Sequence, residues 1–271
     1  MALAAPPSTL DAARQSRIRC REAGRDHAVA AVFLHGVGSG AASWSAQLDS
    51  FGQRYHALAW DAPGYGDSDA LGMAAPRAAD YAAALASLLD ERGIETCHLI
   101  SHSLGALIAA SFVADQGDRV QRLVLASPTA GFGKASAETR ASKIDARLAD
   151  MARLGPELLA EKRAAALLSL HPHAADIEKI RAVMSRLRPE GYAQAVRMLG
   201  VADIFADLPR IRCPVLVLCG DEDRVTPPEG CQKIADALLG AQFTLLRGVG
   251  HASYVQDPTQ FDGAVMNFLG A

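Results

Sequence analysis

Short apolar runs alternate with helical patterns along most of this chain. The runs are continuously hydrophobic, which predicts strands buried on both faces and therefore a mainly parallel sheet. They lie at residues 30–34, 55–60, 97–100, 123–126, 215–219 and 243–246. Residues 17–23 instead alternate polar and apolar positions, which predicts an antiparallel strand at the edge of the sheet.

Helical periodicity fills most of the gaps between these runs. The predicted helices span residues 41–51, 78–92, 104–116, 230–239 and 259–269. Gly93 and Gly117 follow two of them, at the position where glycine commonly ends a helix. Strands that alternate with helices in this way indicate an α/β fold.

The stretch from 131 to 207 breaks the alternation. It is rich in Ala, Leu, Arg and Glu, has several helical periods and contains no strand pattern. Because the residue before a proline is disfavoured in a helix, Pro156, Pro172 and Pro189 predict about four helices. An insertion here would lie over the carboxyl edge of a parallel sheet, where such folds bind ligands.

This insertion divides the chain into three parts. We predict an α/β core formed by residues 1–130 and 208–271, with a helical cap at 131–207 that lines and partly closes a pocket. An alternative role for the cap is a contact surface between copies of this chain, which would make the protein a homo-oligomer.

Length and composition fit one α/β domain with an insertion. The chain has 271 residues, half of them hydrophobic, which is enough to bury both faces of a sheet. The net charge is -3 with both signs interspersed, so no basic face indicates nucleic acid and no polybasic stretch indicates a membrane surface. A small-molecule substrate is the expected partner.

Two further features predict a cytoplasmic protein that needs no metal or cofactor. Residues 1–8 lack the charged and apolar regions of a signal peptide, and no apolar run reaches membrane-spanning length. The five cysteines are odd in number, scattered and without a Cys-x-x-Cys pair, which argues against disulfides and zinc. Cys219 lies in an apolar run and is interpreted as a core residue rather than a nucleophile.

A Ser-His-Ser-Leu-Gly segment at 101–105 joins a predicted strand to a predicted helix. A small-x-Ser-x-Gly bend in that setting holds the central serine at the carboxyl edge of a sheet. The usual first residue is Gly, and Ser101 replaces it here. Ser101 is itself a rival nucleophile, but it lies at the strand end, so Ser103 is the favoured candidate.

Candidate partners for this serine follow two later strands. The run at 215–219 leads to Asp221, Glu222 and Asp223, and the run at 243–246 leads to His251. A histidine can take the proton of a serine hydroxyl, and a carboxylate can orient that histidine. The chain order of serine, acid and histidine is therefore suited to nucleophilic catalysis.

Together these motifs identify the chain as resembling the α/β-hydrolase superfamily over almost its whole length. Residues 33–40, with His35-Gly36, resemble the oxyanion loop of that family, and residues 60–68 resemble its Asp-x-x-Gly-x-Gly-x-Ser segment. The resemblance implies a mostly parallel α/β-hydrolase sheet flanked by helices, with a helical cap inserted after the sixth strand in the family's count.

The resemblance also implies roles for individual residues. Ser103 would be the nucleophile, His251 the general base and Asp223 the orienting acid, because the family's Gly-x-x-Asp spacing selects Asp223 over Asp221 and Glu222. The backbone N–H groups of Val37 and Leu104 would form the oxyanion hole. Trp44 and Arg197 are candidate substrate contacts, and the other cap arginines considered as carboxylate anchors are Arg181, Arg186 and Arg188.

The implied activity is a serine hydrolase that cleaves a carboxylic ester or lactone, as in small carboxylesterases and 3-oxoadipate enol-lactonase. A serine at the bend argues against the dehalogenases and epoxide hydrolases of the superfamily, which use Asp there. One alternative is a carbon-carbon hydrolase of the meta-cleavage-product type, although Ala252 replaces the aromatic residue that often follows the catalytic histidine. Another is a ligand receptor that keeps the hydrolase fold.

Overall fold

A computed structural model describes residues 17–270, and its centre is a seven-stranded sheet. The strands are β1 Arg19–Ala23, β2 Ala30–Leu34, β3 His56–Asp61, β4 Cys97–His102, β5 Val120–Ala126, β6 Val215–Gly220 and β7 Gln242–Leu246. Their spatial order is β1-β3-β2-β4-β5-β6-β7. Each neighbouring pair is parallel except β1 and β3, which confirms the predicted antiparallel edge strand.

Nine α-helices are described within residues 17–270. They are α1 Ser45–Phe51, α2 Ala78–Glu91, α3 Leu104–Gln116, α4 Ala137–Arg163, α5 Ala174–Met184, α6 Pro189–Val201, α7 Pro228–Asp236, α8 Ser253–Gln256 and α9 Pro258–Leu269. The predicted helix at 41–51 begins with a 3₁₀ turn at Ala41–Trp44. None of the helices within 17–270 is both long and apolar enough to traverse a bilayer. The interpretation of residues 1–8 falls outside the described residues.

Burial on both faces explains the continuous apolar runs. Every residue of β2, β4 and β6 is buried, and α3 buries Ala, Leu and Ile side chains around most of its circumference. A fully buried Val, Leu, Ile or Phe side chain contributes roughly 1.5–3 kcal/mol. The core therefore lies between the sheet and its flanking helices, as the sequence predicts.

The parallel direction of β4, β5, β6 and β7 determines where functional residues meet. Their carboxyl ends open at one edge of the sheet. Ser103 follows β4 directly, Asp223 follows β6, and the loop to His251 follows β7. Residues more than a hundred positions apart in the sequence therefore follow strands that end at the same edge of the sheet.

The inserted helices α4, α5 and α6 lie between β5 and β6. Gly155, with φ 68° and ψ 175°, divides α4 before Pro156, and Pro189 opens α6, so four helical segments occur as predicted. The insertion follows the fifth of the described strands, and its predicted place after the sixth strand of the family stays a prediction. The boundaries of the cap at 131 and 207 stay a prediction.

A pair of glycines joins the insertion to the core. Gly64, with φ 82°, lies directly against Gly191 near the start of α6. A Cβ atom on Gly191 would overlap the carbonyl oxygen of Gly64. Because that neighbour is backbone, it cannot rotate away, and only glycine permits this approach.

We expect Gly191→Ala to lower the free energy of unfolding by about 1–3 kcal/mol, because overlap with backbone costs more than the helix gains from alanine. Gly263→Ala is the matched control, since Gly263 lies in α9 and a methyl group added there would meet no neighbouring atom within 4 Å. That change should stabilise the protein by about 0.5–1 kcal/mol. Urea unfolding of both variants tests the contact, and equal stabilisation by both would contradict it.

Candidate active site

Ser103 occupies the tip of a tight bend between β4 and α3. Its backbone has φ 54° and ψ -113°, and its side chain is largely buried, with 8 % of the residue exposed. A non-glycine residue with positive φ is strained and persists only where its surroundings hold it. The Ser103 N–H donates to the carbonyl of Ala126 at 3.0 Å, which fixes one side of the bend.

The other side of the bend is fixed by close packing of Gly105. A Cβ atom there would come 2.7 Å from the carbonyl oxygen of Leu34 and 2.9 Å from that of His35. Only glycine lets α3 start this close to β2. Ser101 is fully buried and donates its hydroxyl to Val124 at 2.9 Å, so a serine fits the first position of the motif without reaching solvent.

Asp223 and His251 form a buried pair. His251 Nδ1 lies 2.9 Å from Asp223 Oδ2, with 4 % and 3 % of the two residues exposed. The other carboxylate oxygen accepts the N–H groups of Val225 and Thr226 at 2.8 and 2.9 Å. This arrangement gives Nδ1 the proton and leaves Nε2 free to accept one.

Several contacts set the charge of Asp223. Burial acts to raise the pKa of this carboxyl, but attraction to His251 and hydrogen bonds from His251, Thr226 and Val225 outweigh it and lower the pKa to about 2. Asp223 is therefore ionised at neutral pH and stabilises a positive charge on the imidazole.

The two neighbouring acids point elsewhere. Asp221 accepts the N–H of Gly248 at 2.7 Å, and Glu222 accepts the N–H of Leu170 at 2.7 Å. Both carboxylates therefore hold loops in place, and among the three acids of this loop only Asp223 contacts His251.

Thr226 is a further polar member of the site. Its hydroxyl lies 2.9 Å from Asp223 Oδ2, 3.1 Å from His251 Nδ1 and 3.0 Å from the carbonyl oxygen of Ser127. It borders both members of the pair and links them to the end of β5. The sequence analysis did not identify Thr226 as a site residue. The signal that could have pointed to it is its position three residues after Asp223.

A cavity of about 330 Å³ lies between the sheet edge and the inserted helices. Its core side includes Val37, His102, Ser103, Leu104, Thr226 and His251. Its other side includes Phe132, Leu159, Ile180, Val183, Met184 and Leu187. The cavity has the size of a small-molecule site and is mostly apolar, with polar groups concentrated at the sheet edge.

Ser103 and His251 both border this cavity, but no hydrogen bond joins the Ser103 hydroxyl to His251 in the structure. Such bonds are often long without substrate and shorten when it binds. Val37 and Leu104 also border the cavity, and the backbone N–H of neither has a hydrogen-bond acceptor among the described residues. Two free donors therefore flank the serine.

Two buried histidines, His102 and His35, hold backbone groups next to the site. His102 Nε2 donates to the carbonyl of His251 at 2.9 Å, and burial together with the nearby His251 lowers the pKa of His102 to about 3. His35 Nε2 accepts the N–H of Ala62 at 3.0 Å, and its Nδ1 lies 2.9 Å from the carbonyl oxygen of Gly36. Both rings are neutral and hold backbone groups.

Comparison with known proteins agrees with this architecture. A sequence model of the alpha/beta hydrolase family matches residues 31–264, which is most of the chain. The chain belongs to the alpha/beta hydrolase family.

Named relatives of this alpha/beta hydrolase include two bacterial enzymes and one solved structure. RutD of Stutzerimonas stutzeri, named as a carbamate hydrolase, is 30% identical over 88% of this chain and 90% of its own. A 2-hydroxy-6-oxononadienedioate/2-hydroxy-6-oxononatrienedioate hydrolase of Klebsiella pneumoniae is 27% identical over 94% and 92%. A thermophilic esterase from Thermogutta terrifontis superposes with a TM-score of 0.85 at 25% identity, covering 94% and 93%. Family and relatives make the chain a hydrolase.

Trp44 and Arg197 of this hydrolase do not border the cavity, which corrects their predicted substrate contacts. Trp44 is fully buried and stacks on Tyr254 at 4.0 Å, because the 3₁₀ turn that carries it packs onto the core. Tyr254 takes the wall position instead. Arg197 lies on the outer side of α6 and donates to the carbonyl of Ala74 at 3.0 Å.

The other cap arginines named from the sequence also lie away from the main cavity. Arg181 pairs with Glu178, Arg188 donates to the carbonyl of Ser68 at 2.7 Å, and Arg186 borders a separate cleft. Arg147 and Arg163 on α4 reach the cavity instead. Their inward position was not predictable from sequence, because it depends on which face of α4 packs against the cavity.

Cys219 is fully buried behind Asp223, as expected for a core cysteine. A hydrogen bond with Cys231 and burial raise the pKa of the Cys219 thiol. A protonated thiol is a poor nucleophile, so Cys219 does not compete with Ser103.

The depressed pKa of Asp223 makes the stability of this hydrolase sensitive to acid. The ordinary pKa is 3.8 and the folded value about 2, so the pair stabilises the fold above pH 3.8 and loses this contribution as the pH falls toward 2. We expect the difference in free energy of unfolding between the native protein and Asp223→Asn to shrink by about 1 kcal/mol between pH 5 and pH 3.

Urea unfolding at pH 5, 4 and 3 measures this difference. Asp115→Asn is the control, because Asp115 is an exposed residue of α3 without an ion pair among the described residues. A gap between the native protein and Asp223→Asn that stays constant with pH would contradict the assignment of an ionised, paired carboxylate.

Proposed function

We propose that this hydrolase cleaves a carboxylic ester or lactone of a small molecule through an acyl-enzyme on Ser103. The observation that carries the proposal is a shared cavity. Ser103 lies at the strained bend and borders this cavity. His251 borders the same cavity, and Nδ1 of its ring is hydrogen-bonded to Asp223. Nucleophile, base and orienting acid are the groups that acyl transfer requires.

The first step is attack of Ser103 Oγ on the carbonyl carbon. His251 Nε2 takes the hydroxyl proton, and Asp223 stabilises the imidazolium that forms. The proton then passes to the leaving alcohol oxygen, which departs as the carbon–oxygen bond breaks. Water, deprotonated by the same imidazole, attacks the acyl-enzyme and releases the acid together with free Ser103.

The free N–H groups of Val37 and Leu104 suit the negative oxygen of the tetrahedral intermediate. Leu104 is the first residue of α3, so the positive end of the helix dipole adds to its N–H. Val37 is held through its carbonyl, which accepts the hydroxyl of Tyr65 at 3.0 Å. Loss of one oxyanion donor typically costs about 10²–10³ in kcat.

A second candidate reaction is carbon-carbon hydrolysis of a 2-hydroxy-6-oxo-dienoate. The Klebsiella pneumoniae relative is named for a dienedioate of this type and aligns along nearly the whole chain. Carbamate is a further acyl substrate worth assay, because the RutD relative is named for it. Ala252 after His251 favours the ester, as the aromatic residue common at that position in carbon-carbon hydrolases is absent.

Hydrolysis of p-nitrophenyl acetate tests the proposal. We expect turnover with an initial burst of nitrophenolate equal to the enzyme concentration, and a loss of at least about 10³-fold in Ser103→Ala. Ser101→Ala is the matched control, because Ser101 is buried away from the cavity. It should keep most of the activity.

Two outcomes would overturn the proposal. Turnover that persists in Ser103→Ala would remove the serine from the mechanism, and tight ligand binding without turnover would indicate a receptor. A panel of short esters, lactones, a carbamate and a 2-hydroxy-6-oxo-dienoate then decides the reaction. Preference for the dienoate by orders of magnitude in kcat/KM would favour the carbon-carbon reaction.

A further inference from the structure

Two arginines of α4 border the same cavity as Ser103. Arg147 and Arg163 come from the inserted helices, whereas Ser103 and His251 come from the sheet edge. The described residues that border the cavity include no Asp or Glu. Among the described residues that border the cavity, Arg147 and Arg163 are the only Lys, Arg, Asp or Glu side chains, and most of the other lining side chains are apolar.

Arg147 has no carboxylate partner within 4 Å among residues 17–270. Its Nη1 donates to the carbonyl of Lys143 at 2.8 Å, and its guanidinium lies 5.6 Å from the centre of the Phe132 ring. Burial and the positive charge of Arg163 lower the pKa of Arg147. A partly desolvated guanidinium beside a like charge is stabilised by any anion that binds next to it.

The positive charge of Arg163 is only partly neutralised by a carboxylate. Its Nη2 donates to Asp150 at 3.2 Å, but that carboxylate also accepts Lys162 and Arg153. The Nε of Arg163 is buried and has no hydrogen-bond partner among the described residues. One carboxylate shared by three cations leaves net positive charge at this end of the cavity, together with an unused donor.

Tyr192 completes the group. It borders the cavity with only 2 % of the residue exposed, and its hydroxyl makes no hydrogen bond to another described residue. Both arginines are close enough to act on its pKa, which burial raises. Guanidinium groups and a phenol hydroxyl are donors of the kind that bind a carboxylate.

We propose that Arg147, Arg163 and Tyr192 form a subsite for a carboxylate of the substrate, so that the preferred ester or lactone carries an acid group at the end remote from its scissile bond. This inference rests on the proposed ester or lactone hydrolysis. The apolar wall between the two ends would contact the hydrocarbon chain that joins them. A neutral substrate would leave Arg147 without a counter-ion and the buried Nε of Arg163 without an acceptor.

Matched glutarate esters test this subsite. The acid substrate is p-nitrophenyl hydrogen glutarate, and the neutral one is its methyl ester, which has the same chain and leaving group. We expect the native enzyme to favour the acid by about 10- to 100-fold in kcat/KM, as charge-assisted hydrogen bonds allow. Arg147→Gln and Arg163→Gln should each reduce this preference by about tenfold, and Arg147→Lys should restore part of it.

Arg181→Gln is the control variant, because Arg181 is an exposed cap arginine paired with Glu178 outside the cavity. It should keep the native preference for the acid. Equal rates of the native enzyme on the two esters would overturn the subsite. So would a loss of activity in Arg147→Gln and Arg163→Gln that is the same for both esters, since that indicates a structural role.

Glutarate binding separates this inference from the proposed reaction. Calorimetric titration of Ser103→Ala with glutarate measures the subsite without turnover, and the added Arg147→Gln change should weaken binding by about tenfold. If neither ester is hydrolysed but glutarate binding depends on Arg147, the proposed reaction fails and the subsite stands. If the esters are hydrolysed through Ser103 and glutarate binding does not depend on Arg147, the reaction stands and the subsite fails.

Discussion

The strained backbone of Ser103 is the constraint on which the site depends. A conformation of this kind costs about 1–3 kcal/mol and has to be maintained by its neighbours. The hydrogen bond to the carbonyl of Ala126 and the contact of Gly105 with β2 supply that support from two strands. As a result the hydroxyl stays at the carboxyl edge of the sheet, and α3 begins at once with a free N–H at Leu104.

The polar groups around this bend come from strands that share its direction. Asp223 follows β6, and its carboxylate accepts the backbone of its own loop on one oxygen and His251 on the other. His102, next to Ser103 in sequence, holds the carbonyl of His251. Ser103 and the His251 imidazole are thus connected through the ring of His102, although their own side chains are not hydrogen-bonded to each other.

The inserted helices contribute a different kind of chemistry. They provide most of the apolar wall of the cavity and its two arginines, whereas the sheet edge provides Ser103 and His251. Substitutions in the insertion can therefore alter which molecule fits while leaving Ser103, Asp223 and His251 in place. Gly64 and Gly191 keep the two parts in register through backbone contact, which ties the shape of the cavity to the core.

The strands, the bend and the order of the candidate residues followed from sequence alone, because continuous apolar runs and a glycine-dependent turn are local properties. Asp223 could be selected over Asp221 and Glu222 only through family spacing, and the structure explains that choice by where each carboxylate points. The sequence could not place side chains of the insertion. Successive side chains of a helix point in directions about 100° apart. Which arginines face inward therefore depends on how α4 packs against α5 and α6. Tertiary packing likewise placed Tyr254 on the cavity wall and Trp44 behind it. The position of Trp44 close to the oxyanion-loop motif in the sequence does not tell whether its side chain faces the cavity or the core.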